Sequence, residues 1–173
     1  MDRHVVRVIA AATFFFTVAV GAILSILPVY MVEVLGATAL VVGVVEGLGS
    51  AVEAVTLVFS GALSDRLGRR KPLAVAGYGL YLLIKPVFIL AGQLWIVAAA
   101  RVADRFSIAV FAAPQQALIG DVSAAGGRGA AFGLRAAADG LGAMTGPVLA
   151  TVALGALGLG YEAVFWIALA AAA

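Results

Sequence analysis

The sequence contains no cysteine, a single histidine and few charged residues. The lack of cysteine excludes disulfides and thiolate metal sites. His4 lies beside the N-terminus, and no Ser/His/Asp or metal-ligand spacing occurs, so we expect no enzymatic activity, no metal and no cofactor. Charged residues make up 12% of the chain, against about 25% in soluble domains. With a net charge of only +2, nucleic acid is not an expected partner.

The sequence is rich in long hydrophobic runs and poor in charged residues. The chain is 64% hydrophobic, and its mean hydropathy is +1.15. A chain of this composition cannot hide its apolar surface in one globular core, so we expect a lipid bilayer to surround it. A helix needs about 20 apolar residues to cross a bilayer. We therefore predict an all-α membrane protein with helices at about 8–32, 38–60, 72–91, 94–119 and 130–154, and an incomplete sixth helix at 161–173.

The few charges are unevenly distributed among the predicted connections. Lys and Arg occur near the N-terminus and near residues 65 and 125, whereas the connections near 35, 92 and 157 contain none. Basic residues accumulate on the cytoplasmic side of membrane proteins. We therefore expect a multi-pass protein of the inner or plasma membrane with a cytoplasmic N-terminus.

Eight ionisable residues lie inside the predicted spans, and each would cost about 2.5–3.5 kcal/mol if it faced lipid at the bilayer centre. Four are acidic and four are basic, so we expect them to pair within the helix bundle. Two interpretations are open: a polar cavity in which a carboxylate binds and releases protons, or structural ion pairs that fix helix packing. The eight residues are Glu46, Glu53, Lys85, Arg101, Asp104, Arg105, Arg135 and Asp139.

The spacing of these residues supports pairing. On the second helix Glu46 and Glu53 lie seven positions apart and therefore share a face. On the fourth helix Arg101, Asp104 and Arg105 fall within an arc of about 100°. Each of these helices therefore groups its charges on one face, which favours pairing in the interior of the bundle.

The fifth helix carries a second small set of charges. Arg135 and Asp139 stand one turn apart, a spacing that allows a salt bridge. Small residues continue along the same helix and would let a neighbouring helix approach closely. A proline there removes a backbone hydrogen bond and bends the helix. These residues are Gly133, Gly142, Gly146 and Pro147.

A short basic connection joins the predicted second and third helices. It reads Gly61-Ala-Leu-Ser-Asp-Arg-Leu-Gly-Arg-Arg-Lys71 and is followed by Pro72. Gly61 and Gly68 permit the turns of a tight connection, and Pro72 suits the first turn of the next helix. The stretch matches, position for position, the pattern G-x-L-x-D-R-x-G-R-[RK]-[RK] between helices 2 and 3 of the major facilitator superfamily, which the chain thereby resembles.

Two more motifs carry the same resemblance. Gly133-x8-Gly142-x3-Gly146-Pro147 is similar to the helix-5 motif of the superfamily's antiporters, although Ala150-Thr151 replaces its closing Gly-Gly. Arg101 and Asp104 fit the helix-4 pattern R-x-x-[QD]-G, with Arg105 in place of the glycine. The three motifs occur in order at the expected helix ends.

The resemblance implies the N-terminal six-helix half of a transporter, similar to bacterial drug or metabolite antiporters. The implied function is secondary active transport of a small molecule by alternating access, coupled to protons and directed outward. The implied partners are the substrate, the proton and a second six-helix half, in the same or a separate chain. The alternative is a non-transporting membrane scaffold or partner subunit, the remnant of a half-transporter.

The resemblance also implies roles for particular residues. The helix-4 arginine, here Arg101, is associated with proton coupling. In the connection between helices 2 and 3, an aspartate and an arginine lock the cytoplasmic side, with Asp121 as a further member here. The implied gating residues are Gly61, Asp65, Arg66, Gly68, Arg69 and Asp121.

Overall fold

The computed structural model describes residues 3–123 and 127–172, except for the side chains of residues 3 and 122. Within these ranges the chain forms six α-helices and no strand, and a π-helical turn at Val152–Ala156 extends the fifth helix. The helices are α1 Arg3–Glu33, α2 Ala39–Leu67, α3 Arg70–Leu90, α4 Leu94–Val122, α5 Arg128–Thr151 and α6 Tyr161–Ala172.

Four segments of the described chain are long and apolar enough to cross a membrane, namely His4–Glu33, Ala39–Leu67, Arg70–Leu90 and Arg128–Ala156. Helix α4 is as long as α2, but Arg101, Asp104 and Arg105 make it less apolar. Large apolar side chains such as Leu40 and Leu90 are exposed, as expected for helices that face lipid. The predicted all-α membrane fold is therefore confirmed.

The basic connection between α2 and α3 is shorter than predicted. Helix α2 continues through Gly61 to Leu67, and α3 begins at Arg70, so only Gly68 and Arg69 separate them. A continued helix satisfies its own backbone hydrogen bonds close to the lipid. Gly68 ends α2 in the left-handed region with φ 58, and its N–H donates to the Ser64 carbonyl. Gly68 thus provides the predicted turn, whereas Gly61 is helical.

The other helix ends also differ slightly from the predicted ranges. Helix α1 begins before residue 8, at Arg3. Helix α5 begins at Arg128, inside the loop predicted after α4, of which residues 124–126 lie outside the described part. Its C-terminal end widens into the π-helical turn, where the Leu157 N–H donates to the Val152 carbonyl at 3.0 Å. Gly158, with φ 61, follows in the connection to α6.

The described chain divides into two compact units. One unit holds the residues up to Tyr30 together with those from Ile119 onward, and so contains most of α1, the end of α4, α5 and α6. Within it α5 packs closely on α1: a Cβ on Gly142 would lie 2.6 Å from the Phe14 carbonyl oxygen. A Cβ on Gly146 would lie 2.7 Å from the Ala22 amide nitrogen. The predicted small-residue packing face is present at these two glycines.

The other unit, Met31–Leu118, contains α2, α3 and most of α4. Helices α3 and α4 approach closely at Gly77, where a Cβ would lie 2.8 Å from the Phe111 amide nitrogen. Helices α2 and α4 are joined by a buried hydrogen bond of 2.7 Å from the Ser60 hydroxyl to the Ala109 carbonyl. This packing turns charged faces of all three helices toward one another.

Candidate functional site

Among the described residues, the most buried charged side chains lie where α3 meets α4. The Lys85 Nζ donates to Asp104 Oδ1 at 2.6 Å, and each of these side chains is only 1% exposed. Lys85 Nζ also lies over the Tyr81 ring, 3.8 Å from its centroid, and 5.6 Å from the centroid of Phe88. Aromatic faces stabilise a cation that has lost its water. Lys85 is thus held by one carboxylate and two aromatic rings.

Arg101 connects this buried pair to α2. Its Nε and Nη2 donate to the two carboxylate oxygens of Glu46 at 2.8 and 2.9 Å, a bidentate arrangement. Its Nη1 donates to Asp104 Oδ2 at 3.4 Å. Arg101 is 1% exposed, whereas Glu46 is 26% exposed. Bidentate charge-assisted hydrogen bonds are among the strongest side-chain contacts, so Arg101 is fixed between α2 and its own helix.

Arg105 extends the contacts one turn further along α4. Its Nη1 donates to Glu53 Oε2 at 2.9 Å, and its Nη2 lies 3.4 Å from Glu46 Oε2. Gly49 lies between the two glutamates on α2, and a Cβ there would lie 3.0 Å from Arg105 Cγ. The missing side chain of Gly49 therefore makes room for the stem of Arg105.

Together these six residues form one ion-pair chain of alternating sign. Its two halves differ in burial: Lys85, Asp104 and Arg101 are each 1% exposed, whereas Glu46, Arg105 and Glu53 are 26%, 18% and 31% exposed. The formal charges sum to zero, so no net charge is carried into the membrane span. The ion-pair chain runs in the order Lys85, Asp104, Arg101, Glu46, Arg105 and Glu53.

The ionisable residues of the spans were expected to pair within the bundle without named partners on other helices, and the structure shows pairs that join α2 to α4 and Lys85 to Asp104. The sequence placed Lys85 among the ionisable residues of the spans but gave it no partner and no role. One feature of the sequence could have indicated that Lys85 needs a buried partner: it lies in an otherwise apolar stretch of α3, directly before Pro86. The aromatic contacts from Tyr81 and Phe88 could not be found from charge spacing.

The charged residues of α5 are arranged differently from the expected salt bridge. Asp139 is exposed, and its Oδ1 accepts a hydrogen bond of 2.7 Å from the Thr17 hydroxyl of α1. In the described part of the chain no ion pair joins Asp139 to Arg135, and the buried Arg135 Nε has no hydrogen-bond partner there. Thr17 was not predicted, because its position opposite Asp139 depends on the packing of α1 against α5.

The implied gating residues lie at the end of α2 and in the turn that follows. Asp65 is 70% exposed, and its Oδ1 lies 3.5 Å from Arg70 Nη2. Arg69, the implied partner of Asp65, precedes the first residue of α3 and is exposed. Asp121 lies near the end of α4. An exposed ion pair contributes at most about 1 kcal/mol, so the contact of Asp65 with Arg70 can open at little cost.

The chain is similar to several known proteins. The family model described as Major Facilitator Superfamily matches residues 9–173. An uncharacterized protein of Mycobacterium tuberculosis is 38% identical over 127 residues, which is 73% of this chain and 31% of that protein. The uncharacterized MFS-type transporter YqjV of Bacillus subtilis is 29% identical over 141 residues, covering 82% of this chain and 34% of YqjV.

A relative with a more informative name is the Multidrug resistance protein MdtH of Photorhabdus laumondii. It is 32% identical over 127 residues, covering 73% of this chain and 31% of that protein. The matched part of the chain thus spans about a third of the length of each of these relatives.

Proposed function

Because the chain belongs to the Major Facilitator Superfamily, we propose that it takes part in secondary active transport of a small molecule across the inner or plasma membrane. We propose further that this transport is coupled to protons, is directed outward and proceeds by alternating access, with the N-terminus in the cytoplasm. The names of YqjV, a transporter, and MdtH, a multidrug resistance protein, support transport of small molecules.

The observation that carries this proposal is the ion-pair chain. Replacing a buried ion pair with well-packed apolar residues of similar volume is often neutral or stabilising, so packing alone does not require six charges between α2, α3 and α4. Each of the two arginines in the ion-pair chain contacts two carboxylates. Arg101 contacts Glu46 and Asp104, and Arg105 contacts Glu46 and Glu53. Protonation of one carboxylate can therefore be answered by re-pairing, without isolating a buried charge.

The proposed partners are a proton, a small-molecule substrate and a second six-helix half. Asp139, exposed and oriented by Thr17, is a second carboxylate open to a proton or to a cationic substrate. The relatives are about three times as long as the part that matches, and we propose that a second six-helix half, in the same or a separate chain, completes the transport path. Asp65, Arg69 and Asp121 would then gate the cytoplasmic side.

Substitutions in the two carboxylate regions test the coupling. Purified protein, with any partner that co-purifies, is placed in lipid vesicles, and flux of the fluorescent cation ethidium is followed under an imposed pH gradient. We expect Asp139→Asn and Arg101→Ala to abolish the pH-driven flux while both variants still insert into the membrane. Lys71→Gln, at an exposed position at the start of α3, is the control and should retain the flux. Unchanged flux in both variants would contradict proton coupling through these residues.

The same vesicles separate transport from the scaffold alternative, which the similar proteins do not support. A scaffold or partner subunit would insert and associate normally but would give no ethidium flux in the wild-type protein. Measurable flux that depends on the pH gradient supports the transport proposal.

A further inference from the structure

We propose that Glu53 is the carboxylate that binds and releases the coupled proton, and that Arg105 responds by moving its ion pair from Glu53 to Glu46. This assignment rests on the proposed function and goes beyond it, because it selects one carboxylate and one responding cation within the ion-pair chain.

Glu53 is the least restrained carboxylate of the ion-pair chain. Its only partner in the described part of the structure is Arg105 Nη1, at 2.9 Å from Oε2. Glu46 accepts two hydrogen bonds from Arg101 and one from Arg105, so protonation there would disturb both arginines. Protonating Glu53 disturbs a single contact.

The exposed fraction of the side chain favours the same residue. Glu53 is 31% exposed, whereas Asp104 is 1% exposed and lies between Lys85 and Arg101. Glu53 lies at the surface of the helix bundle, so its protonation does not require the described helices to separate, but Asp104 would have to lose its contact with a buried ammonium group. Removing one partner from a buried ion pair costs about 3–5 kcal/mol, which disfavours Asp104 as the exchanging site.

Arg105 already lies close to Glu46, the carboxylate to which its ion pair would move. Its Nη2 lies 3.4 Å from Glu46 Oε2, so a small rotation of the guanidinium shortens that contact while the contact to Glu53 breaks. The stem of Arg105 packs against Gly49, where a Cβ would lie only 3.0 Å from Arg105 Cγ, so the rotation is confined to the guanidinium group beyond this contact. The buried Arg105 Nε has no hydrogen-bond partner in the described part of the chain, so no second anchor opposes the rotation.

The step balances as a simple proton transfer. A proton from water binds the Glu53 carboxylate and forms the O–H bond of a neutral acid, and the ion-pair chain gains one positive charge. Arg105 then shares Glu46 with Arg101, and release of the proton to water restores the Glu53 contact. The charged groups nearest to Glu53 in the ion-pair chain are Arg105 and Arg101 from α4 and Glu46 from its own helix. Lys85 and Asp104 form the opposite end of the ion-pair chain.

Infrared difference spectroscopy of the purified protein tests this step without any substrate. Acidification should produce the carbonyl band of a protonated carboxylic acid together with a shift of guanidinium bands, identified by isotopic labelling of arginine. Glu53→Gln should lose the guanidinium shift. The matched control Glu162→Gln, at an exposed glutamate at the start of α6, should keep it.

A second variant covers the case in which Glu53→Gln does not fold. Glu53→Asp keeps an acid but withdraws it from Arg105 by one methylene, so the carboxylic acid band should persist while the guanidinium shift becomes smaller. A guanidinium shift that is absent from the wild-type protein, or unchanged in both Glu53 variants, would overturn the proposal.

Vesicle measurements distinguish failure of this inference from failure of the proposed function. Ethidium flux in Glu53→Gln should no longer respond to the pH gradient, whereas flux in Glu162→Gln should respond as in the wild type. A pH-responsive flux in Glu53→Gln overturns the assignment of Glu53 and leaves transport in place. Wild-type vesicles without flux would contradict transport instead, and the infrared result would still decide whether protonation of Glu53 moves the ion pair of Arg105.

Discussion

Lys85 and Asp104 show how a charge pair can be accommodated inside a membrane span. Both side chains are 1% exposed, and the ammonium group is also covered by the Tyr81 ring. Neither charge can reach water, so each depends on the other, and Asp104 depends on Arg101 as well. The stability of this part of the protein should therefore respond to the loss of one charge more than to the loss of both.

Lys85→Met is expected to lower the free energy of unfolding by about 3–5 kcal/mol, because it leaves Asp104 buried with a weaker set of partners. The double variant Lys85→Met/Asp104→Leu should recover much of this loss, since both charges are removed together. Thermal unfolding in detergent, followed by tryptophan fluorescence, measures the effect. Lys71→Met, an exposed control, should change stability by less than about 0.5 kcal/mol. Equal losses for Lys85→Met and Lys71→Met would contradict the buried pair.

The sequence predicted that these charges pair but not which partners they choose. The zero net charge of the eight ionisable residues and the shared face of Glu46 and Glu53 were enough to expect pairing within the bundle, but not to identify the helices that pair. The choice of Glu46 as the bidentate partner of Arg101 depends on how each helix is rotated and shifted along its axis. Helical periodicity does not fix those two quantities, which is also why Thr17 was not predicted opposite Asp139.

At the scale of the helices, the glycines of the α5 motif differ in how closely they approach a neighbouring helix. Gly142 and Gly146 face the backbone of α1 so closely that a methyl group at either position would overlap it. At Gly133, the first glycine of the same motif, a methyl group would meet no atom within 4 Å. The motif therefore marks a close helix contact over its second part only, which spacing within one helix could not show.

Gly146→Ala is expected to destabilise the contact of α1 with α5 by about 1–3 kcal/mol, because backbone atoms of Val18 and Ala22 cannot move aside as a side chain can. Gly133→Ala is the matched control and should be neutral or stabilising by up to about 1 kcal/mol, since alanine favours the helix over glycine. The two variants are compared by thermal unfolding in detergent under identical conditions. A loss of similar size in Gly133→Ala would indicate a general effect of substitution in α5 and contradict the specific contact.

The helix ends show a second limit of sequence interpretation. Charges and glycines between residues 61 and 71 predicted a loop, yet α2 continues through most of that stretch and turns only at Gly68. Polar residues beyond the apolar core of a span can remain helical, because helix formation satisfies the backbone while the side chains reach water. The polar stretch thus marked the end of the apolar part of the span but not the end of the helix.

For the whole molecule, the distribution of basic residues predicts how the chain crosses the membrane. The turn after α2 is flanked by Arg66, Arg70 and Lys71, whereas the connection from α3 to α4 carries no Lys or Arg. Basic connections stay in the cytoplasm. With α3 spanning the bilayer between these two connections, they must lie on opposite sides of the membrane.

Because the natural chain has no cysteine, single-cysteine variants report this topology directly. Gln93→Cys, in the exposed connection after α3, should react with a membrane-impermeant maleimide in intact cells. Lys71→Cys, at the other end of α3, should react only after the membrane is permeabilised. The opposite pattern would place the N-terminus outside, and the Asp65 region could then not gate the cytoplasmic side. Labelling of both positions in intact cells would contradict a membrane-spanning α3.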